Sequence, residues 1–246
     1  IICLSTVSIC HSFDKPNIIL IFVDDMGYGD PSCYGGKLVE TKNIDSLAEE
    51  GIRFTQGYTI SPVCGPSRVG LMTGSYPGRF GIYWNPDMGA VQIPKERPIL
   101  PVQLKKAGYT TALVGKWNLS NPAWDPMPPK NYFDKTFYTM VWEGEYWPDE
   151  RGIYHGVNDK NYGSLKQNNI WGPIKKGDVY LTDLLSQSAC EFISNHKSKN
   201  PFFLYLSYNA PHSPLQGKKE HLKKLTHIKS DALKLYASMI LSIDEG

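Results

Sequence analysis

The sequence predicts an α/β fold in which a parallel-dominated sheet carries helices on both faces. Three observations lead there. Asn17 to Val23 is a continuous apolar run rich in β-branched residues, the pattern of a strand buried on both faces of a parallel sheet. Tyr109 to Val114 and the strongly apolar Pro201 to Tyr208 read as two more strands. Between them apolar residues recur at helical spacing, so strands and helices alternate along the chain.

The elements follow in order. Asn43 is expected to cap a helix running to about Glu50, with Ile44, Leu47 and Ala48 on one face and Gly51 as its stop. Ile52 to Tyr58 reads as a strand. Beyond the loop Thr59 to Pro66, Ser67 to Met72 starts a short helix with Pro66 near its first turn. Leu100 to Lys106 is helical and closed by Gly108, and the strand from Tyr109 ends at Gly115-Lys116. Residues 118–178 are rich in Pro, Gly, Asn, Trp and Tyr with little periodicity, and are expected to form an elaborated loop insert over the sheet edge. Val179 to His196 carries a helical stripe of Leu181, Leu184, Leu185, Ala189 and Phe192. Asp231 to Gly246 begins an amphipathic helix with no strand after it, so the chain is expected to be C-terminally truncated.

Composition narrows the class. A chain of 246 residues with 41% hydrophobic content builds a substantial core, which excludes disorder. With 26 basic and 24 acidic residues, the charge of +2 gives no global reason to expect nucleic acid or a membrane surface as partner. Any preference for anions must be local. Residues 1–12 open on an apolar run too short to span a bilayer and read as a signal-peptide remnant. The protein is therefore expected to be exported (periplasmic, secreted or lysosomal), with no lipoprotein anchor and no transmembrane segment. Cys3 and Cys10 would leave with that segment, and Cys33 and Cys190 read as buried, inert thiols. Nothing supports a bridge between them, and no cysteine spacing suggests a zinc site.

In parallel sheets ligands gather at the carboxyl ends of the strands, and three predicted strands deliver ionisable groups there: Asp24 and Asp25, Lys116, and His212. The acidic pair suits a hard cation such as Ca²⁺ or Mg²⁺, although such a pair also makes an ordinary solvated turn. Cys64-Gly65-Pro66-Ser67-Arg68 is more specific. A Cys ahead of a helix faces the positive end of the dipole and Arg68, and the free N–H groups there suit a sulfate or phosphate oxyanion. The alternative is an inert thiol in a proline-containing turn.

These residues carry a resemblance. Cys64-Gly65-Pro66-Ser67-Arg68, continued by Leu71-Met72-Thr73-Gly74, resembles the signature of the formylglycine-dependent sulfatases, of the arylsulfatase and N-acetylgalactosamine-6-sulfatase kind within the alkaline-phosphatase-like superfamily. Pro16-Asn17-Ile18 through Asp24-Asp25-Met26-Gly27-Tyr28-Gly29-Asp30, then Asn43-Ile44-Asp45, Gly115-Lys116-Trp117 and Pro211-His212-Ser213-Pro214 match in the same order. The similarity runs from Lys15 to Gly246, so residues 13–246 would be the N-terminal part of a sulfatase catalytic domain.

The resemblance implies a hydrolase of sulfate esters. Cys64 would be oxidised to formylglycine by a separate maturing enzyme, and an oxygen of the hydrated aldehyde would attack sulfur. The alcohol would leave and the second hydroxyl would help expel sulfate. Asp24 and Asp25 would be ligands of calcium, or magnesium, with the modified Cys64 adding an oxygen. Arg68 would hold the hydrate, Lys116 would bind sulfate oxygens, and His212 would contact the sulfate and leaving oxygen.

Two departures stand out. Where the family has Gly-Lys-Trp-His, this chain has Asn118, an amide that cannot take up a proton. The family's later Asp-Asn metal pair and a further lysine are absent, so the calcium shell would be incomplete and these 246 residues alone inactive. Trp124, Trp142, Trp147 and Trp171 could stack on a sulfated sugar, but packing is favoured for each. Two other readings remain open: a phosphoester or phosphonate hydrolase of the same superfamily, and a sulfatase-like anion- or carbohydrate-binding protein without turnover.

Overall fold

The structure is a computed structural model and describes residues 15–85, 93, 97–119, 131–139, 146–147, 166–168 and 179–246. The segment 1–12, Trp124, Trp142 and Trp171 lie outside them. Five described strands form one sheet: β1 (Ile18–Asp24), β2 (Thr110–Lys116), β3 (Lys135–Thr139), β4 (Lys166–Asn168) and β5 (Phe202–Pro211). Their order is β1-β5-β2-β3-β4, and all pairs are parallel except β3 with β4. The described α-helices are α1 (Lys42–Glu50), α2 (Cys64–Thr73), α3 (Leu100–Lys106), α4 (Leu181–Asn195), α5 (Lys219–Lys224) and α6 (Asp231–Glu245). None is long and apolar enough to cross a membrane.

β5 is buried throughout, and its two-residue period feeds two cores. Phe203 and Tyr205 pack with Leu113 of β2, Val69 and Met72 of α2, and Trp117. Phe202, Leu204, Leu206 and Tyr208 pack with Ala112 and Val114 on the opposite face, under Leu181, Leu185 and Phe192 of α4 and Met239 of α6. This two-sided burial is why the run reads as continuously apolar. Helices therefore cover both faces, as expected.

Several expectations need correction. β1 lies at the edge of the described sheet: Ile18, Leu20 and Phe22 pack inward, but Ile19 and Ile21 are about half exposed, because α4 packs on β5 and β2, and α6 on β5, rather than on β1. Ile52 to Tyr58 forms no strand. Ile52, Phe54 and Tyr58 are exposed, and the backbone there is held by side chains, with the Tyr34 and Tyr28 hydroxyls donating to the carbonyls of Phe54 and Thr55. β-propensity without a neighbouring strand does not make one. The supposed loop insert contains β3 and β4, with Phe137 of β3 buried in the core. Trp147 packs against Tyr180 with ring centroids 5.2 Å apart. Cys33, Cys64 and Cys190 are free, and Cys190 is exposed rather than buried.

Asn43 does not cap α1, which begins after Thr41. Asp244, at the far end of α6, accepts from the N–H groups of Asn43 and Ile44 at 3.0 and 2.9 Å. A carboxylate thus meets the free N–H groups of a helix start and ties the end of α6 to α1. One glycine shapes the functional edge: Gly115 has φ +105°, and a Cβ there would lie 1.9 Å from the Ser207 carbonyl oxygen. The close approach brings the end of β2 against β5 just before Lys116.

Candidate active site

Because β1, β2 and β5 are parallel, their carboxyl ends share one edge. Asp24 closes β1, Lys116 closes β2 and His212 follows β5. The register slips after Val23, which pairs with Tyr208, so that Asp24 stands opposite Pro211. Asp25 (φ 65°) and Asn118 (φ 53°) both adopt left-handed backbone, uncommon for side-chain-bearing residues and concentrated at functional turns.

Asp24 is buried between two cations. Lys116 Nζ donates to its Oδ2, and Arg68 lies 3.4 Å from Oδ1. Arg68 is itself fully buried, with one guanidinium nitrogen 3.0 Å from the Lys116 carbonyl, 3.1 Å from the Tyr205 hydroxyl and 2.6 Å from Ser207 Oγ. Its guanidinium stacks over the Phe22 ring at 4.9 Å. Burial alone would raise the Asp24 carboxyl, but Lys116 and then Arg68 outweigh it and hold the pKa below the ordinary 3.8. Burial lowers the Lys116 ammonium, with Asp24 opposing and Arg68 adding to the fall.

Cys64 opens α2, one helical turn before Arg68 and on the same face. Its Sγ receives two amide donors, Asn85 Nδ2 at 3.1 Å and Asn118 Nδ2 at 3.2 Å. Asn85 is held in turn by the Gly65 N–H, which donates to its Oδ1 at 3.1 Å. Asn118 is fully buried, and its Oδ1 accepts no hydrogen bond among the described residues.

His212 lies across the edge. Its Nδ1 is 2.8 Å from the Ser213 carbonyl oxygen, which can only accept, so the proton sits on Nδ1. Nε2 is then turned toward Asp25, 3.5 Å from Oδ2. The turn after β1 is braced by Tyr236 of α6, whose hydroxyl is 2.6 Å from Asp30 Oδ2 and 3.2 Å from the Asp25 carbonyl oxygen.

The residues singled out in the sequence therefore gather at one edge, and Asn118 touches the Cys64 position as its place in the motif implies, but the other partners differ from those expected. Lys116 and Arg68 engage Asp24, and it is two asparagines that meet Cys64. Asn85 went unnoticed because nothing in its local sequence marks it. Ser207 carried a signal: it is the polar residue that breaks the apolar run of β5 two residues after Tyr205.

The donor set has the chemistry of a hard-cation site, since Asp24 and Asp25 are adjacent carboxylates and Asp25 is half exposed and loosely held. Two carboxylates fall short of the six to eight oxygens that Ca²⁺ takes. Among the described residues no group of three or more His, Cys, Asp or Glu could hold a metal.

The sulfatase family profile matches residues 16–246. The chain belongs to the sulfatase family. This sulfatase chain is 37% identical to N-acetylgalactosamine-6-sulfatase of Rattus norvegicus over 227 residues, 84% of this chain and 41% of that protein. It is 32% identical to arylsulfatase J of Mus musculus, over 94% of this chain and 38% of that one. The crystal structure of Ps i-CgsB in complex with k-i-k-neocarrahexaose superposes with a TM-score of 0.82 at 38% identity, covering 94% of this chain and 53% of that one. BT4656 in complex with D-glucosamine-2-N,6-O-disulfate gives 0.65 at 27% identity, over 87% of this chain and 38% of that one. The sulfatase chain has the alkaline-phosphatase-like fold of these neighbours, and spans about two-fifths to one-half of the relatives' lengths.

Proposed function

We propose that the protein hydrolyses sulfate esters of carbohydrates, with Cys64 as the precursor of a formylglycine nucleophile. The observation that carries this reading is the setting of Cys64. It opens a buried helix, two amide N–H groups converge on its Sγ, and a buried Lys-Asp-Arg cluster adjoins it. The sulfur occupies the place that a formylglycine oxygen would take. Asn118 Nδ2, which faces the sulfur at 3.2 Å, would donate to an oxygen of the hydrated aldehyde in its place. A formylglycine-generating enzyme would be the maturing partner.

Each residue has a task in this reading. Asn85 and Asn118 orient the nucleophilic group by donating to it. Lys116 and Arg68 supply positive charge where a sulfate's oxygens would gather negative charge in the transition state. Ser207 and Tyr205 fix the Arg68 guanidinium from β5. Asp24 and Asp25 would supply two of the oxygens of a Ca²⁺ or Mg²⁺ site, and such an ion would supply Lewis acidity at the sulfate and the nucleophile. His212, once protonated on both ring nitrogens with Nδ1–H held by the Ser213 carbonyl and Nε2–H facing Asp25, would pass its Nε2 proton to the leaving alcohol and keep the Nδ1 proton. The names of the relatives support a sulfated carbohydrate as substrate, and the apolar opening of the chain supports an exported protein.

The test is hydrolysis by the intact gene product, co-expressed with a formylglycine-generating enzyme and supplied with calcium. Para-nitrophenyl sulfate is expected to be cleaved well ahead of para-nitrophenyl phosphate. The reverse preference would reassign the site to phosphoester chemistry, and cleavage of neither would leave a binding protein.

A further inference from the structure

Tyr83 and Trp84 are 74% and 72% exposed, an unusual cost for two large aromatic rings side by side. Their exposure is imposed from both ends. Ile82 before them packs into the core beside α2 and α3, and Asn85 after them is fixed by Cys64 and Gly65. Gly81, with φ +71°, closes the turn that leads into the segment. Tyr83 is further pinned by its hydroxyl, which donates to the Gly78 carbonyl at 3.2 Å, with its ring laid against Gly78. Tyr83 is thus braced against Gly78, and Trp84 is presented from a backbone fixed on both sides, by Ile82 and by Asn85.

Its location gives it meaning. Trp84 is the residue directly before Asn85, whose amide touches Cys64 Sγ, so the Trp84 backbone lies within about 10 Å of the sulfur by chain geometry. That is the span of roughly one to two sugar rings. A pyranose has an apolar C–H face that packs on an aromatic ring while its hydroxyls stay in water, which suits a platform exposed on one side.

We propose that Tyr83 and Trp84 form a carbohydrate-binding platform, on which a ring of the sulfated saccharide stacks while its sulfate reaches Cys64. The proposal rests on the sulfate-ester reading above for what lies at Cys64, but the stacking itself can be measured without turnover.

Two measurements on the intact gene product separate the two ideas. In a Cys64→Ala form, whose methyl group offers no heteroatom for conversion to formylglycine, binding of a sulfated carrageenan hexaose is followed by titration calorimetry. Trp84→Ala is expected to weaken it about tenfold, with Trp84→Phe recovering most of the loss. In the matured enzyme, Trp84→Ala should reduce kcat/KM for the hexaose about tenfold more than for para-nitrophenyl sulfate, which has no saccharide to stack. Melting temperatures check that the variants fold.

Equal losses on both substrates, hexaose binding that ignores Trp84, or no hexaose binding at all would overturn the platform. If hexaose binding depends on Trp84 but no sulfate ester is cleaved, the platform stands and the catalytic reading fails.

Discussion

Asp24→Ala is expected to destabilise the fold by about 3–5 kcal/mol, the usual cost of removing one partner from a buried ion pair. Lys116 and Arg68 are both fully buried, and Asp24 is the carboxylate to which both turn. Without it two cations face each other in a dry pocket. For a domain of this size the loss corresponds to a fall in Tm of roughly 6–20 °C. Adding Lys116→Met to the variant should restore part of the loss, because the repulsion goes with the ammonium.

The same carboxylate sets an acid limb. Its folded-state pKa lies below the ordinary 3.8, so its contribution is fully present above that value and is lost as pH falls through the folded value. Wild type and Asp24→Ala should therefore converge in stability at strongly acid pH. A variant that melts with the wild type near neutrality would show that the cluster does not hold the sheet edge together.

Asn118→His is expected to raise steady-state turnover of the matured enzyme by roughly a hundredfold, the scale that one positioned proton acceptor contributes. The amide of Asn118 donates to the Cys64 position at 3.2 Å but has no basic atom, so the step that expels sulfate lacks an acceptor on that side. The wild-type enzyme should accordingly show a burst of alcohol followed by slow release of sulfate, and the histidine should speed the slow phase more than the burst. The measurement is rapid-quench release of both products from an aryl sulfate. Unchanged or slower turnover in Asn118→His would mean that Asn118 is fitted to this pocket and that another group takes the proton. The left-handed backbone at Asn118 makes that outcome instructive, since asparagine tolerates φ 53° better than most residues do.

Much of this architecture was legible in the sequence because strand and helix periods are local. β2, β5, α3, α4 and α6 lie close to where their patterns put them, and parallel pairing then forces Asp24, Lys116 and His212 onto one edge. What could not be read depends on which element neighbours which. The exposure of Ile19 and Ile21 follows from the edge position of β1, and the unpaired segment after α1 follows from having no strand beside it. Asp244 reaches α1 from 201 residues away, a distance at which no local pattern operates. In the site, the residue types were visible but their partners were not. Asn85 meets Cys64 because the chain after α2 folds back, and Lys116 meets Asp24 because β5 inserts between β1 and β2.

The most direct measurement of the central claim is mass spectrometry of the proteolytic peptide containing Cys64, from intact protein co-expressed with a formylglycine-generating enzyme, alongside its sulfate release from an aryl sulfate. The account predicts a mass loss matching conversion of the Cys64 thiol to an aldehyde, trapping of that aldehyde by a hydrazide probe, and sulfate release in proportion to the converted fraction. An unmodified Cys64 thiol in protein that nonetheless cleaves the ester at full rate would contradict it.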